Sequence, residues 1–495
     1  MVRSGKTPLL NALARHRRLK TIPFHMPGHK KGKGIQPRFA RLMKTDPFSL
    51  DMTEVPGLDD LHNPGGPIEE AQSRAAQLFG ADRTFFLING TTVGIHAAIL
   101  AVCKQGDEIL LPRDIHRSVI GACILAGARP RYLPARLNRD FFIPLPPKVE
   151  EVALGLQKYP AKAVFQVYPS YYGLAGDLAG VTRVAHNLKI PVIVDEAHGA
   201  HFKFSDRLPA PALHLGADIC IQSTHKTLGA LTQASMLHVR GRLVDRGEVA
   251  RQLGILQTTS PSYLLMASLD SATGHMEFSG KSLVDETVGL ANRVREEINS
   301  LPGIRCLGTE GSGDNGVFAT DPTKMYISVR GTGLTGYQAA DRLLKRYGIQ
   351  VELGDRFNIL CMFSIGNTSE DAGKLAAALR EMAAVKPRSK AAETLLDFDT
   401  LPVPRQILTP REAWFARKRK VLLDDAIGEV AGEMVAPYPP GIPVLCPGEK
   451  VTHDIVELIR RFKAESCLFH GPADRTLSKL TVVDSVPAFG DPRSG

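Results

Sequence analysis

Three short stretches of the chain carry side chains able to do covalent chemistry. Ser223-Thr224-His225-Lys226-Thr227 sets a lysine among hydroxyls and a histidine, directly after the apolar run 219–222. An amine there could attack a carbonyl carbon, while an ordinary exposed lysine is the plain alternative. Pro191-Val192-Ile193-Val194-Asp195-Glu196-Ala197-His198-Gly199 puts a carboxylate at the end of a run apolar enough to be a buried strand. At such an edge Asp195 could bind a metal, cap a turn or pair with a cationic ring nitrogen. Asn89-Gly90-Thr91-Thr92-Val93-Gly94 lies where a strand gives way to a helix, and it offers N–H groups and hydroxyls either to a phosphate or simply to a helix cap.

Their order along the chain narrows the choice. A phosphate-ready turn, a strand-end acid and a strand-end lysine are the groups that pyridoxal 5′-phosphate needs. The turn supplies phosphate donors, the acid keeps the pyridine nitrogen protonated so that the ring is an electron sink, and the amine forms a Schiff base. His198 and His201 beside Asp195 make only a loose metal set, because H-E-x-x-H is missing and Gly199 interrupts the spacing, so no metal is expected. Gly331-Thr332-Gly333-Leu334-Thr335-Gly336 spells G-x-G-x-x-G, with Glu352 near the distance of a ribose-binding acid, but no βαβαβ continuation follows it. The stretch 274–282 fails as a phosphate loop on its spacing.

The elements that must position these groups follow an α/β alternation. Pro67 marks a helix start, Ile68, Ala71, Ala75 and Leu78 form its apolar face, and Gly80 closes it. Strands are expected at 84–88, 108–112, 131–134, 163–168, 192–195, 219–223 and 235–239, giving a mainly parallel seven-stranded sheet. Two helices at 261–278 and 281–300 then lead to a smaller α+β unit. The expected division is a basic arm and linker over 1–66, a large cofactor-binding domain over 67–280, a small α+β domain over 281–390 and a C-terminal domain over 391–495.

Composition limits the classes of function. The chain has 495 residues, 43% hydrophobic and 23% charged, with 45 Gly and 34 Pro. That excludes collagen-like, coiled-coil and wholly disordered chains, and the longest apolar runs are far too short to span a bilayer. Seven dispersed cysteines without C-x-x-C suit a reducing, cytoplasmic setting. The net charge of +10 is concentrated in residues 1–45, which hold twelve Lys/Arg and no Asp or Glu. This head reads as a structural arm wrapping a partner subunit, in preference to a nucleic-acid arm or an organelle presequence, so no nucleic acid is expected.

Across nearly its whole length the chain resembles the Orn/Lys/Arg decarboxylases, a family of fold-type-I pyridoxal-phosphate enzymes. The likeness rests on FHMPGHK (24–30), GLDDLHNPGGPIEEAQ (57–72), FFLINGTTVGI (85–95), VDEAHGAH (194–201), STHKTLGALTQASMLH (223–238), TTSPSYLLMASLD (258–270) and PYPPGIPVLCPGE (437–449). The resemblance implies that Lys226 holds the cofactor covalently, Asp195 faces its pyridinium nitrogen and His116 stacks on its ring. It also implies a phosphate shell of Gly90, Thr91, Thr92, Ser223 and His225, with Ala197 and His198 beside the ring. Thr259 and Ser260 would reach the phosphate of the adjacent subunit, which implies a homodimer with shared sites, or a higher assembly built from it. Beginning at the arm, the chain is similar to the short form associated with polyamine biosynthesis.

The reaction so implied is decarboxylation of a basic amino acid, with Lys226 or His225 returning a proton to Cα. Glu352, Asp355 and Glu449 are candidate receivers for the substrate's distal cation, against the plain reading of solvated carboxylates. Family likeness ranks arginine first, with lysine and ornithine next. An aminotransferase or aldolase on the same fold is the alternative, and a nucleic-acid-binding protein the more distant one.

Overall fold

The computed structural model describes residues 21–25, 28–30, 33–45, 54, 58–308, 315–384, 400–438, 441–464 and 467–484. Its centre is a seven-stranded sheet formed by β1 (Arg83–Leu87), β2 (Glu108–Leu111), β3 (Arg129–Tyr132), β4 (Ala161–Val167), β5 (Val192–Asp195), β6 (Ile219–Gln222) and β7 (Ser235–Val239). The order across it is β1-β7-β6-β5-β4-β2-β3. The pairs β3/β2, β2/β4, β4/β5 and β5/β6 are parallel, whereas β7 runs antiparallel to both neighbours. All the residues of β5 and β6 are buried, as strands covered on both faces must be. Val192 and Val194 enter one apolar cluster and Ile193 the other, so the pleat divides the core into two layers.

Helix α1 (Pro67–Phe79) begins on its proline and ends at Gly80, whose φ of 78° is the left-handed geometry that glycine accepts without strain. Helix α2 (Gly90–Val102) lies close against the sheet because Gly94 has no side chain. A Cβ there would stand 2.6 Å from Leu87 Cδ1 and 2.7 Å from an Ile221 methyl. Helix α3 (Arg117–Ala126) follows β2, and the short α4 (Thr224–Thr227) follows β6.

The two helices expected at 261–278 and 281–300 are one, α5 (Tyr263–Asn299), running without a break through residues 280 and 281. Gly280, an apparent stop in the sequence, is instead a contact point. A Cβ there would stand 2.6 Å from Phe204 Cδ1, so the glycine lets the helix pass over that ring. Beyond α5 a four-stranded sheet combines Arg305–Cys306, Lys324–Ser328, Asn358–Met362 and Leu353–Gly354 in that order. The described part of the basic head is built into its own chain, since Ile22–Phe24 pairs in parallel with Ile349–Val351. The rest of that head, through residue 20, lies outside the described residues. Gly336 of the G-x-G-x-x-G run opens a capped helix, and a Cβ on it would lie 2.0 Å from the Asn358 carbonyl, so its glycine serves packing. A last apolar cluster containing Leu445, Ile455, Ile459, Leu480 and Val482 organises the C-terminal segment. No helix among the described residues is long and apolar enough to cross a membrane.

Candidate active site

The parallel strands β4, β5 and β6 end on the same edge of the sheet, where β7, running the other way, begins. Loops leaving those ends enclose a cavity of about 420 Å³, the size range of small-molecule sites. Gly90, Thr91, Thr92, His116, Asp195, Ala197, His198, Ser223, His225, Lys226 and Glu352 all line it. Residues far apart in sequence thus meet because those from the large sheet lie at its strand ends or in the turns that follow them, while Glu352 is delivered from between two strands of the small domain.

One end of the cavity suits an anion. The N-terminus of α2 opens into it, and Asn89 at the cap position makes no side-chain cap bond, which leaves the positive end of the helix to a ligand. Gly90 takes φ 71°, a left-handed turn that swings the chain from β1 into the helix while its N–H donates to the Gln233 carbonyl at 2.9 Å. The Thr91 hydroxyl bonds to that of Ser223 and lies 3.3 Å from that of Ser235. His225 directs Nδ1 at the Ala234 carbonyl, 3.0 Å away, and burial lowers its imidazole to about 4 against that bond, so the ring is neutral with Nδ1 as donor.

At the other end Asp195 is buried and its Oδ1 accepts the Ala197 N–H at 3.0 Å. Burial raises its carboxyl, and the charge of Lys226 pulls it back. The adjacent Glu196 points the opposite way. It accepts from the Ala212 N–H at 2.8 Å, the Gln222 amide at 2.7 Å and the Cys220 thiol at 3.0 Å, and burial raises it to about 7. The two acids therefore divide the labour, one facing the cavity and one bracing the strand beneath it.

Lys226 projects from α4 into the cavity, half-buried, with Nζ 3.0 Å from His198 Nε2. Burial lowers its ammonium, while Asp195 and Glu352 oppose the shift. On its far side His198 Nδ1 meets Lys324 Nζ at 2.5 Å, and Lys324 also donates to the Tyr171 carbonyl at 2.9 Å. The Tyr171 hydroxyl donates to Glu352 Oε1 at 2.6 Å. His116 lines the same space as the N-cap of α3, with Nδ1 2.8 Å from the Ser118 hydroxyl.

Some expected residues lie elsewhere. Glu449 is not a cavity residue: it is fully buried, takes both Arg113 nitrogens at 2.5 and 2.9 Å and accepts the Cys446 N–H at 2.8 Å. Asp355 is likewise engaged, accepting the Tyr326 hydroxyl and the N–H groups of Phe357 and Asn358, beside a separate and mostly apolar cavity of about 160 Å³. Each is already satisfied by groups from its own fold, which leaves neither free to receive a substrate cation. Thr259 and Ser260 are exposed and outside this chain's own cavity. His201 turns from the cavity to Asp321 Oδ2, 3.2 Å away. Sequence reasoning missed Lys324, Tyr171, Tyr438 and Asp114. Asp114 sits two residues before His116 and was within reach; Lys324, opening an ordinary strand, carries no local signal.

These groups fit pyridoxal 5′-phosphate by their chemistry. An uncapped helix N-terminus and a hydroxyl cluster suit its phosphate, a buried acid suits its ring nitrogen and a lysine suits its aldehyde.

Comparison with known proteins agrees. The model of the Orn/Lys/Arg decarboxylase major domain matches residues 7–371, and that of the C-terminal domain of the same enzymes matches residues 395–471. The arginine decarboxylase of Bacillus subtilis (strain 168) is 39% identical over 485 residues, covering 98% of this chain and 99% of its own. The constitutive lysine decarboxylase of Escherichia coli superposes with a TM-score of 0.74 at 20% identity, over 97% of this chain and 82% of its own. The ureidoglycine-glyoxylate aminotransferase of Bacillus subtilis superposes at 0.57 and 16% identity, over 76% and 97%, and shares the fold.

Proposed function

Since the chain belongs to the Orn/Lys/Arg decarboxylase family, we propose that L-arginine is the basic amino acid it decarboxylates, giving agmatine. The class of reaction, pyridoxal-phosphate-dependent loss of carbon dioxide from a basic amino acid, comes with family membership. The choice of arginine is supported by the likeness to the Bacillus subtilis arginine decarboxylase over almost the whole of both chains. The shared fold of the aminotransferase does not decide the chemistry, because one fold hosts many reactions.

Bound pyridoxal phosphate supplies an electrophilic carbon for an amine and a cationic ring that takes up the electron pair released as the carboxylate leaves. In this reading Lys226 is the amine that would hold the cofactor's electrophilic carbon. Asp195, whose Oδ1 accepts the Ala197 N–H at 3.0 Å, would hold the proton on the ring nitrogen. The N-terminus of α2, with Gly90, Thr91, Thr92, Ser223 and His225, holds the phosphate, and His116 covers the ring. Glu352, fixed by the Tyr171 hydroxyl, receives the guanidinium. His198, 3.0 Å from Lys226, is better placed than His225 to pass a proton to it, because His225 has committed Nδ1 to Ala234. The observation that carries the reading is the meeting of Lys226, Asp195 and the uncapped α2 terminus in one cavity with Glu352 across from them.

The unit we propose is a cytoplasmic homodimer in which Thr259 and Ser260, exposed and outside their own cavity, complete the phosphate site of the partner. All seven cysteines are thiols outside any disulfide, which supports the reducing compartment. Arginine, lysine and ornithine assayed in parallel test the substrate. Agmatine as the main product supports the proposal, and cadaverine or putrescine in its place refutes the choice of arginine.

A further inference from the structure

Lys324 is the least expected charge in the molecule. It is 2% exposed, it opens the second strand of the small sheet, and its ammonium reaches the far side of the histidine that touches Lys226. Four nitrogens on three side chains are thus linked, Lys324 Nζ to His198 Nδ1 at 2.5 Å and His198 Nε2 to Lys226 Nζ at 3.0 Å.

Hydrogen-bond chemistry restricts how protons can be arranged on that line. An ammonium only donates, and a neutral imidazole donates from one nitrogen and accepts on the other. Burial, with the charges of Lys226 and Lys324 added, holds His198 well below the usual imidazole range, so it is neutral. With one of the two lysines charged, two arrangements remain. Either Lys324 is the cation and His198 presents Nε2–H to a neutral Lys226, or Lys226 is the cation and His198 presents Nδ1–H to a neutral Lys324.

The surroundings discriminate between them. Around Lys324 Nζ stand the Tyr171 carbonyl at 2.9 Å, the Met362 sulfur at 3.9 Å and the face of the Tyr171 ring at 5.0 Å, in addition to His198. An ammonium's three donors all find partners there, and the ring face favours a cation. Lys226 Nζ has His198 as its hydrogen-bond partner, and Asp195 and Glu352 act on it by charge against its burial; the choice therefore rests on the donors satisfied at Lys324.

We propose that Lys324 is a positioning residue that fixes His198 as the Nε2–H tautomer, so that Lys324, His198 and Lys226 form a proton relay serving the cofactor lysine. The proposal rests on the decarboxylase reading and deepens it. In one pass His198 gives its Nε2 proton to the group at Lys226 while Lys324 gives one to Nδ1, leaving a neutral lysine and the opposite tautomer. Decarboxylation consumes one proton for each carbon dioxide released, and the open cavity returns it from solvent.

The charges facing this line are the acids Asp195, Glu352 and Asp321 and the bases Lys30, His116 and His225. Burial lowers Lys324 to about 7, against the pull of Asp321. The cationic arrangement is therefore the one to look for on the acid side of that value.

The test uses the full chain free of cofactor, with ¹⁵N-labelled histidine, at a pH below 7. Long-range nitrogen–proton NMR shows which ring nitrogen of His198 bears hydrogen. Nε2–H in the wild type, its loss in Lys324→Met and its retention in Lys324→Arg are expected. In the loaded enzyme Lys324→Met should lose about 10²-fold in kcat, the lower range for a positioned proton donor, with KM little changed. Nδ1–H in the wild type overturns the proposal without any variant, so failure of the variants to fold does not protect it. An unchanged tautomer or an unchanged kcat in Lys324→Met also overturns it. If no basic amino acid is decarboxylated, the substrate reading fails, while the tautomer measurement still stands on its own.

Discussion

Glu449 offers the sharpest separation between binding a substrate and holding the fold. Its carboxylate accepts two guanidinium bonds from Arg113 and one from the Cys446 N–H, while Arg113 also donates to the Val444 carbonyl at 3.0 Å and lies 4.5 Å over the Tyr132 ring. Both charged side chains are essentially removed from water, at 2% and 0% exposure. Glu449→Gln keeps the shape but replaces one acceptor with an amide that confronts a donor. A buried guanidinium left without its counter-charge costs roughly 3–5 kcal/mol. In a unit the size of the C-terminal segment, 1 kcal/mol moves Tm by about 4–8 °C, so the first transition should fall by more than about 10 °C. The double substitution Arg113→Met with Glu449→Leu should recover most of that loss, because no charge is then stranded. Differential scanning calorimetry reads the stability, and KM for arginine is measured well below the transition. A Tm within 2 °C of wild type, which is about 0.5 kcal/mol or less, combined with a large rise in KM would refute the structural role and restore Glu449 as a substrate group.

Three further outcomes can be measured. Gly94→Ala forces a Cβ against Leu87 and Ile221, and should cost about 1–3 kcal/mol and weaken cofactor retention on dialysis, because α2 and its anion-binding end are pushed off the sheet; unchanged retention would show that α2 does not hold the phosphate. Glu352→Gln should raise KM for arginine by about 10-fold or more, the value of one charge-assisted bond, and leave the cofactor absorbance intact; an unchanged KM removes Glu352 from the substrate site. Lys324 has a folded pKa lowered from 10.5 to about 7 by burial, so its contribution to stability is present above 10.5 and lost as pH falls toward 7. Lys324→Met should therefore melt higher than wild type near neutrality, with the gap closing as the pH is raised, and a constant gap would exclude a titrating Lys324.

What could be read in advance follows from the distance over which each residue is determined. The bounds of α1 were legible because proline and glycine act on the backbone next to them, and Lys226, Asp195 and the turn at Gly90 were legible because each lies at a strand end or within four residues of one. The pleat then decided something the sequence leaves ambiguous. Asp195 and Glu196 are adjacent acids, and only the packing of Ala212, Cys220 and Gln222 shows which of them is occupied beneath the sheet. Residues delivered by other elements left no local mark. Glu449 meets its cation 336 positions away and Lys324 meets His198 at a separation of 126, so an acidic or basic residue considered alone could not reveal whether its charge was already matched. A buried charge has to be matched, so a carboxylate qualifies as receiver for a substrate cation only once the protein's own cations have been assigned. By that criterion Glu449 drops out; Asp355 is occupied by a tyrosine hydroxyl and backbone N–H groups, and Glu352, braced by the Tyr171 hydroxyl, is the candidate that lines the cavity. In the proposed function the locally determined residues serve the cofactor, and the distantly delivered ones surround the substrate and the proposed proton line. That division explains why the sequence speaks clearly about the reaction and only faintly about which amino acid undergoes it.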